Sequence, residues 1–286
     1  MEISGKGAVV TGAGSGIGAG IAAALVEAGA SVIVADIELD KAEAVAGELN
    51  RGGGRAFACK CDVRRYSEVE ALADFAWKTL GHVEILCNNA GVAPIGAAVT
   101  ASENDARWIF DVNVFGVWNG MRIFAQRFLE AGAPAWIVNT GSHHSIGAPS
   151  KNVALYVSTK HAVLGLSEGF RTEMGDQVGM SVLCPGIINT ELWNSDRNRP
   201  DEFGGATEAE AAKGEAVRDV VRQLGFPPRK VGELVVKAIE AEDFWIWTHP
   251  QDIELIEKRY QESAESIQRQ WPDGPTALHK PTPSHF

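Results

Sequence analysis

Tyr156 and Lys160 stand four residues apart in the segment ALYVSTKHAVLGLSEGF, residues 154–170. Apolar residues recur there at helical spacing, so the segment is predicted to form an amphipathic helix. A spacing of four places the phenol and the ammonium group on one face of that helix, a single turn apart. Such a pair is either an ordinary surface contact or a proton-transfer pair, in which the ammonium group changes the pKa of the phenol.

A second chemical signal is the glycine-rich sequence VVTGAGSGIGAG, with Gly12, Gly16 and Gly18 between a predicted strand and a predicted helix. Glycine adopts positive φ and lets the backbone approach a phosphate, and the next helix offers unpaired N–H groups to it. Ser15 and Ile17 belong to the same turn. Because the loop joins a strand to a helix, it predicts a nucleotide-binding site.

Asp36 ends the next predicted strand, eighteen positions after Gly18. A carboxylate there can accept hydrogen bonds from the adenosine ribose hydroxyls, and it repels a 2′-phosphate. Neither Arg nor Lys occurs in the glycine loop or directly after Asp36, where Ile37 follows. We therefore expect NAD rather than NADP as the cofactor. The alternative is that Asp36, or Asp40, serves only as a helix N-cap.

Short apolar runs alternate with helical patterns along most of the chain. The predicted strands cover 7–12, 31–36, 56–63, 83–91, 135–142 and 179–186, and the predicted helices 17–29, 39–51, 67–80, 103–131 and 154–174. This alternation predicts parallel strands joined by crossover helices. The near-continuous apolar strands indicate burial on both faces. The predicted fold class is α/β with a doubly wound parallel sheet, and ligands are expected at the carboxyl ends of its strands.

After Pro185 the sequence becomes more polar. The later predicted elements are helices at 207–224 and 230–241, a strand at 244–249, an amphipathic helix at 251–271 and a Pro-rich tail. We expect a single catalytic domain over residues 1–250, with a C-terminal helix and tail over 251–286.

The composition excludes several classes of protein. The 286 residues carry a formal charge of −11, which argues against nucleic acid as the main partner, because phosphate binding needs a basic patch. No apolar run is long enough to predict a membrane span, and the N-terminus lacks the apolar core of a secretory signal. Cys59 and Cys61 are two apart, which does not fit a zinc spacing. Reduced thiols in a cytoplasmic protein, without a metal site, are therefore expected.

Taken together, the separated motifs resemble the short-chain dehydrogenase/reductase family. They are Gly12-x-x-x-Gly16-x-Gly18, NNAG at 88–91, Tyr156-x-x-x-Lys160 and PG at 185–186. The resemblance covers about residues 5–190. It implies a Rossmann-fold oxidoreductase that uses a nicotinamide cofactor and forms homodimers or homotetramers.

The resemblance also implies roles for individual residues. Asn113 and Ser142 match the family's catalytic asparagine and serine, with Ser145 as the alternative serine. Tyr156 would be the general acid/base, and Lys160 would lower its pKa and bind the nicotinamide ribose. Other implied cofactor contacts are Asp62, Val63, Asn89, Ala90, Gly91, Pro185, Gly186, Ile188 and Thr190.

We expect the substrate to be a secondary alcohol or ketone on a small hydrophobic skeleton: cyclic, steroid-like, terpenoid or aromatic. Apolar residues at 92–95, 148–149 and 192 border the predicted pocket. In the family, residues about 189–228 form a lid over the substrate, and that range is called the lid segment below. His143, His144 and Trp193 are candidate substrate contacts, although the histidines could equally be exposed loop residues. Two alternatives stay open: a catalytically idle NAD-binding redox regulator and a 3-oxoacyl-thioester reductase.

Overall fold

The computed structural model describes residues 1–94, 96–147 and 150–272, and within them seven parallel strands form one sheet. Its order is β3-β2-β1-β4-β5-β6-β7. The strands are β1 (Gly7–Thr11), β2 (Ser31–Asp36), β3 (Arg55–Lys60), β4 (Ile85–Asn88), β5 (Ala135–Thr140), β6 (Val178–Cys184) and β7 (Trp245–Trp247). The predicted fold class is therefore confirmed. The order reverses between β1 and β4, which is where ligands bind in sheets of this kind.

Helices cover both faces of the sheet. They are α1 (Gly16–Glu27), α2 (Leu39–Arg51), α3 (Tyr66–Leu80), α4 (Glu103–Phe110), α5 (Gly116–Ala131), α6 (Ala154–Met174), α7 (Glu208–Leu224), α8 (Pro228–Ala241) and α9 (Asp252–Gln270). One core packs α3, α5 and α6 on the sheet, and the other packs α1, α2 and α8. Every residue of β1 and β5 is buried. Each fully buried Leu, Ile or Phe side chain stabilises the fold by about 2 kcal/mol.

Two predicted strands end earlier than expected. β4 stops at Asn88 because the next backbone amides, of Asn89 and Ala90, donate to the Thr11 hydroxyl at 3.0 and 3.2 Å. β3 stops at Lys60, and the amide of Asp62 donates to the Glu68 carboxylate at 2.8 Å. In both places a side chain takes the hydrogen bond that a neighbouring strand would otherwise make. The chain is thereby turned across the carboxyl ends of the strands.

The single helix predicted over 103–131 is interrupted. Residues Asp111–Phe115 form a π-helical turn between α4 and α5. Its flanking residues Phe110 and Gly116 keep right-handed helical angles, so the chain stays helical throughout. A π turn inserts one extra residue into a turn and is often found at a functional site. Here the inserted turn contains Asn113.

The C-terminal helix α9 is mostly solvent-exposed. Ile253, Tyr260 and Ile267 are each about 60% exposed, whereas Asp252 in its first turn is buried. The predicted Pro-rich tail lies, from residue 273 onward, outside the described residues. Among the described residues, none of the helices combines the length and the apolarity needed to cross a bilayer.

Candidate active site

A cavity of about 400 Å³ opens at the carboxyl ends of the strands. Most of the predicted site residues line it: Gly12, Ser15, Gly16, Ile17, Asp36, Ile37, Asp62, Val63, Asn89, Ala90, Gly91, Ser142, His143, His144, Tyr156, Lys160, Pro185, Gly186, Ile188, Thr190 and Trp193. Two predicted residues, Gly18 and Asn113, lie behind the cavity wall rather than on it. Ile95, Ala148 and Pro149, which border the predicted pocket, lie outside the described residues.

The glycine loop is packed too closely for side chains. Gly12 has φ +62°, and a Cβ there would lie 2.7 Å from the Cα of Ala90. A Cβ on Gly18 would collide with the carbonyl oxygen of Gly12, so Gly18 allows α1 to pack against the loop rather than touching a ligand. Ser15 at the N-cap makes no side-chain bond to the helix. The first turn of α1 therefore has N–H groups to offer a phosphate, and the loop fits a dinucleotide.

Asp36 is held beside this loop by two backbone amides. Its Oδ2 accepts from Gly14 N at 2.8 Å, and its Oδ1 accepts from Glu38 N at 2.9 Å. The N-cap of α2 is Glu38, and Asp40 lies in the first turn, so Asp36 does not cap this helix. Carboxylate oxygens have several acceptor sites. Asp36 therefore keeps the capacity to accept ribose hydroxyls at the cavity wall.

Lys160 is buried, and its Nζ donates to Thr140 O at the end of β5, at 2.8 Å. Its Nζ lies 5.5 Å from the centroid of the Tyr156 ring. Burial lowers the pKa of Lys160 to about 8. Burial also raises the pKa of Tyr156 to about 12, and a hydrogen bond with Ser142 opposes that rise. The pair is therefore not a surface contact. In the chain alone, burial dominates the pKa of Tyr156. The lowering expected from Lys160 together with the positively charged nicotinamide stays a prediction.

Ser142 and Ser145 differ in what their hydroxyls contact. The Oγ of Ser142 accepts from His144 N at 3.2 Å, and Ser142 opposes the rise in the pKa of Tyr156. The Oγ of Ser145 donates to Lys160 O at 2.8 Å and accepts from Ser142 N at 3.1 Å. Only Ser142 of the two lines the cavity. The geometry therefore favours Ser142 as the reacting serine and gives Ser145 the task of tying the loop to α6.

Asn113 is fully buried in the π-helical turn. Its Oδ1 accepts from Val92 N at 2.8 Å, and its Nδ2 donates to Val92 O at 2.9 Å and to Thr159 Oγ1 at 3.1 Å. A Cβ on Gly91 would lie 3.3 Å from Asn113 Oδ1 and 3.8 Å from Lys160 Nζ. Asn113 and Lys160 thus flank the same residue, and Asn113 joins the helix to the loop after β4.

With this geometry in view, comparison with known proteins decides the family. The sequence profile described as short chain dehydrogenase matches residues 6–201. The chain belongs to the short chain dehydrogenase family. It is an oxidoreductase of the kind that acts on CH–OH groups.

Relatives and solved structures of the family resemble this chain over different lengths. A 1-deoxy-11-beta-hydroxypentalenate dehydrogenase of Streptomyces exfoliatus is 38% identical over 67% of this chain and 70% of its own. A 7alpha-hydroxysteroid dehydrogenase of Escherichia coli (strain K12) is 36% identical over 68% and 76%. The crystal structure of a short chain dehydrogenase/reductase from Burkholderia phymatum in complex with NAD is 33% identical, with a TM-score of 0.87, covering 93% of this chain and 96% of its own.

One cavity residue of this dehydrogenase that the sequence did not indicate is Arg64. Its Nη2 lies 2.6 Å from Asp62 Oδ2, and its Nη1 lies 2.8 Å from Glu202 of the lid segment. Its guanidinium also lies 5.4 Å from the ring centroid of Phe203. These contacts join Asp62, an implied cofactor contact, to the lid segment. They depend on residues 138 positions apart, so no local pattern could reveal them.

The lid segment of the dehydrogenase crosses the cavity in two 3₁₀ turns, Leu192–Asn198 and Asp201–Phe203, before α7. Its Arg197 donates to Glu38 Oε2 at 3.0 Å, and Asn198 donates to the same oxygen at 2.9 Å. These two hydrogen bonds contribute to lowering the pKa of Glu38, although burial opposes them. Arg197 and Asn198 also line the cavity, and the sequence analysis missed both.

The two histidines of the dehydrogenase follow Ser142 directly, and both line the cavity. His143 Nδ1 lies 3.3 Å from Asp252 Oδ1, and His143 Nε2 lies 3.2 Å from His144 Nε2. The rings of His144 and Tyr156 meet edge to face, with centroids 6.4 Å apart. Neither histidine is therefore simply an exposed loop residue. Trp193, from the lid segment, lines the same cavity.

Proposed function

We propose that this dehydrogenase interconverts a secondary alcohol and a ketone with NAD as the hydride carrier: R₂CHOH + NAD⁺ ⇌ R₂CO + NADH + H⁺. One observation carries the proposal. Tyr156, Ser142 and the buried Lys160 share a cavity with the glycine loop and Asp36. A group able to move a proton thus lies in the same cavity as the residues that fit a dinucleotide.

The cofactor would be held by the glycine loop at its pyrophosphate and by Asp36 at its adenosine ribose. The chemistry that bound NAD⁺ would provide is acceptance of a hydride from the carbinol carbon. Further contacts are proposed for Ile37, Asp62, Val63, Asn89, Ala90, Gly91, Tyr156, Lys160, Pro185, Gly186, Ile188 and Thr190, all of which line the cavity. Support for NAD comes from Asp36 and from the NAD complex of the Burkholderia phymatum protein.

The remaining residues would manage the proton and the substrate oxygen. Tyr156 would take the hydroxyl proton in oxidation and return it in reduction. Ser142 would hold the same oxygen by a hydrogen bond, which stabilises the charge that develops there. Lys160 would bind the nicotinamide ribose. Asn113 would support a water chain that returns protons to solvent through Lys160. General acid–base help of this kind is typically worth about 10² to 10⁴ in rate.

A hydrophobic ring system is the substrate class that the cavity supports best. Its walls include Val92, Val153, Leu192, Trp193 and Val221. Apolar walls with a few polar groups suit a hydrophobic ligand. Two relatives carry names that describe dehydrogenases of a hydroxylated pentalenate and a hydroxysteroid. We therefore propose a cyclic, steroid-like, terpenoid or aromatic secondary alcohol.

The central test replaces Tyr156 with phenylalanine. We expect Tyr156→Phe to lower NADH production from cyclic and aryl secondary alcohols at least about a hundredfold, because the proton acceptor is lost. The dissociation constant of NADH, measured by fluorescence, should change little. Tyr66→Phe, in the first turn of α3, is the matched control. Full activity in Tyr156→Phe would contradict the assignment, and NAD binding without turnover of any alcohol would favour the idle regulator.

The NAD preference has its own test. Replacing Asp36 by alanine removes the carboxylate that repels a 2′-phosphate, so the ratio of kcat/KM for NAD to that for NADP should fall at least about tenfold. Asp40→Ala, in the first turn of α2, is the control. An unchanged ratio in Asp36→Ala would show that Asp36 serves only the structure.

Three further expectations complete the proposal. We propose a homodimer or homotetramer, which sedimentation of the full chain would test. Turnover of 3-oxoacyl thioesters in preference to cyclic ketones would favour the thioester reductase. A cytoplasmic location stays a prediction of the sequence.

A further inference from the structure

Glu38 follows the end of β2 and pairs with two cations from different parts of the chain. The Lys41 ammonium group lies 3.0 Å from Glu38 Oε1, and the Arg197 guanidinium lies 3.0 Å from Glu38 Oε2. Asn198 donates to the same Oε2 at 2.9 Å. One carboxylate is therefore shared by a cation from α2 and a cation from the lid segment.

These charges lie next to Asp36, the residue proposed to bind the adenosine ribose. The backbone N of Glu38 donates to Asp36 Oδ1 at 2.9 Å. A Cβ on Gly14 would lie 2.9 Å from Asp36 Oδ2 and also 2.9 Å from Lys41 Cβ, so the stem of Lys41 borders the glycine loop. Arg197 and Asp36 line the same cavity. Both cations therefore border the place where a ribose held by Asp36 would carry a 2′-phosphate.

The charge balance of this group disfavours a phosphate. Arginine and lysine are the side chains that usually bind phosphate in proteins. Here the Glu38 carboxylate pairs with both cations, and all three side chains are only a quarter to a third exposed. A phosphate would have to compete with this carboxylate for the cations and would also be repelled by it. Without the charge of Glu38, the two cations would form a phosphate site.

We propose that Glu38 is a specificity-determining residue, which masks a binding site that Lys41 and Arg197 form for the 2′-phosphate of NADP. The inference rests on the proposed function, because it concerns the same cofactor cavity. It adds to the role proposed for Asp36, which repels the phosphate directly. Glu38 acts instead through the cations that it occupies. The masked site can therefore be exposed by removing one negative charge while Asp36 stays in place.

The test measures the dissociation constants of NADH and NADPH by fluorescence titration of the full chain, with no alcohol present. The two cofactors differ only in the 2′-phosphate, so the ratio of their constants isolates its contribution. We expect Glu38→Gln to shift this ratio about tenfold toward NADPH at low ionic strength, roughly the effect of one released charge pair. The shift should shrink in about 1 M NaCl, because salt screens partly exposed charges.

Two further variants decide whether the cations carry the shift. Glu38→Gln/Lys41→Met/Arg197→Met also removes both cations, and it should lose the shift. Loosening of the lid segment would weaken both cofactors alike and cancels in the ratio. Asp40→Asn is the matched control, because Asp40 is an exposed carboxylate in the first turn of α2. It should keep the wild-type ratio within about twofold.

Three outcomes would overturn the inference. The first is an unchanged ratio in Glu38→Gln. The second is a shift that persists in the triple variant, since loss of repulsion alone would then explain it. The third is an equal shift in Asp40→Asn, since the charge of Glu38 would then have no special place.

The proposed function is tested separately by the wild-type ratio and by alcohol turnover. A wild type that does not prefer NADH would contradict the proposed NAD preference, whereas a cation-dependent shift in Glu38→Gln would still support the inference. Turnover of cyclic alcohols with NAD⁺, together with an unchanged ratio in Glu38→Gln, would support the proposed function and overturn the inference. The two failures can therefore be distinguished.

Discussion

The two ends of the cavity are built by different kinds of contact. At the glycine-loop end, the backbone packs on itself, and Asp36 is held by amides at most 22 positions away in the sequence. At the lid end, side chains meet across long separations. Arg197 and Glu38 are 159 positions apart, and Arg64 and Glu202 are 138 apart.

This difference has an energetic consequence. Close backbone packing leaves no room for change, so the glycine-loop end should be intolerant of even one added methyl group. Partly exposed ion pairs contribute little each, about 1 kcal/mol or less. Substitutions at the lid end should therefore change the stability of the fold little. They should instead change which ligands the cavity binds. Lys160 lies between the two ends and combines a buried charge with a backbone contact.

The largest effect is expected at Gly12. In Gly12→Ala the new Cβ meets both a positive φ of +62° and the Cα of Ala90 at 2.7 Å. We expect the free energy of unfolding to fall by about 4 kcal/mol, the sum of backbone strain and overpacking. Gly53→Ala is the control, because Gly53 has φ +85° but open space around it, and it should lose about 1 kcal/mol. Urea denaturation measures both variants. Equal losses of unfolding free energy in Gly12→Ala and Gly53→Ala would show that the close packing at Gly12 adds nothing.

The next effect concerns Lys160 and pH. Burial lowers its pKa from 10.5 to about 8 in the folded chain. Below pH 8 Lys160 is protonated in both the folded and the unfolded state. Between pH 8 and 10.5 it is mostly deprotonated in the folded state and still protonated in the unfolded state. The stability of the wild type relative to Lys160→Met should therefore rise with pH across that window, by about 3 kcal/mol in total.

The measurement is the free energy of unfolding in urea from pH 7 to 10.5. The matched variant Lys78→Met removes an exposed ammonium group from α3. The comparison is the difference in unfolding free energy between the wild type and each variant, followed against pH. If this difference changes as steeply for Lys78→Met as for Lys160→Met, the buried charge of Lys160 does not contribute as described.

The smallest effect is expected at the lid end. Arg197 and Glu38 are each about a quarter exposed, so Arg197→Ala should weaken NADH binding only about two- to fivefold, by loosening the lid segment over the cavity. NADH fluorescence titration measures this, with Arg222→Ala on the exposed side of α7 as the control. A loss beyond about tenfold would mean that the lid end is as rigidly built as the glycine loop.

Much of the fold followed from local patterns. The apolar runs placed the strands and most helices to within a few residues, because parallel strands and amphipathic helices have distinct periodicities. The π-helical turn at 111–115 did not follow from them, since its residues have the same apolar spacing as the helices on either side. The ends of β3 and β4 depended on side-chain bonds from Glu68 and Thr11, which no strand pattern contains.

The sequence by itself determined the glycine loop, Asp36 and the Tyr156–Lys160 spacing, because each is a short segment whose geometry its own residues impose. Only the tertiary structure decided that burial raises the pKa of Tyr156, that Ser142 rather than Ser145 faces the cavity, and that Asp252 stands behind the two histidines. Burial and long-range pairing depend on how distant elements pack together. They therefore arise only when the whole chain has folded.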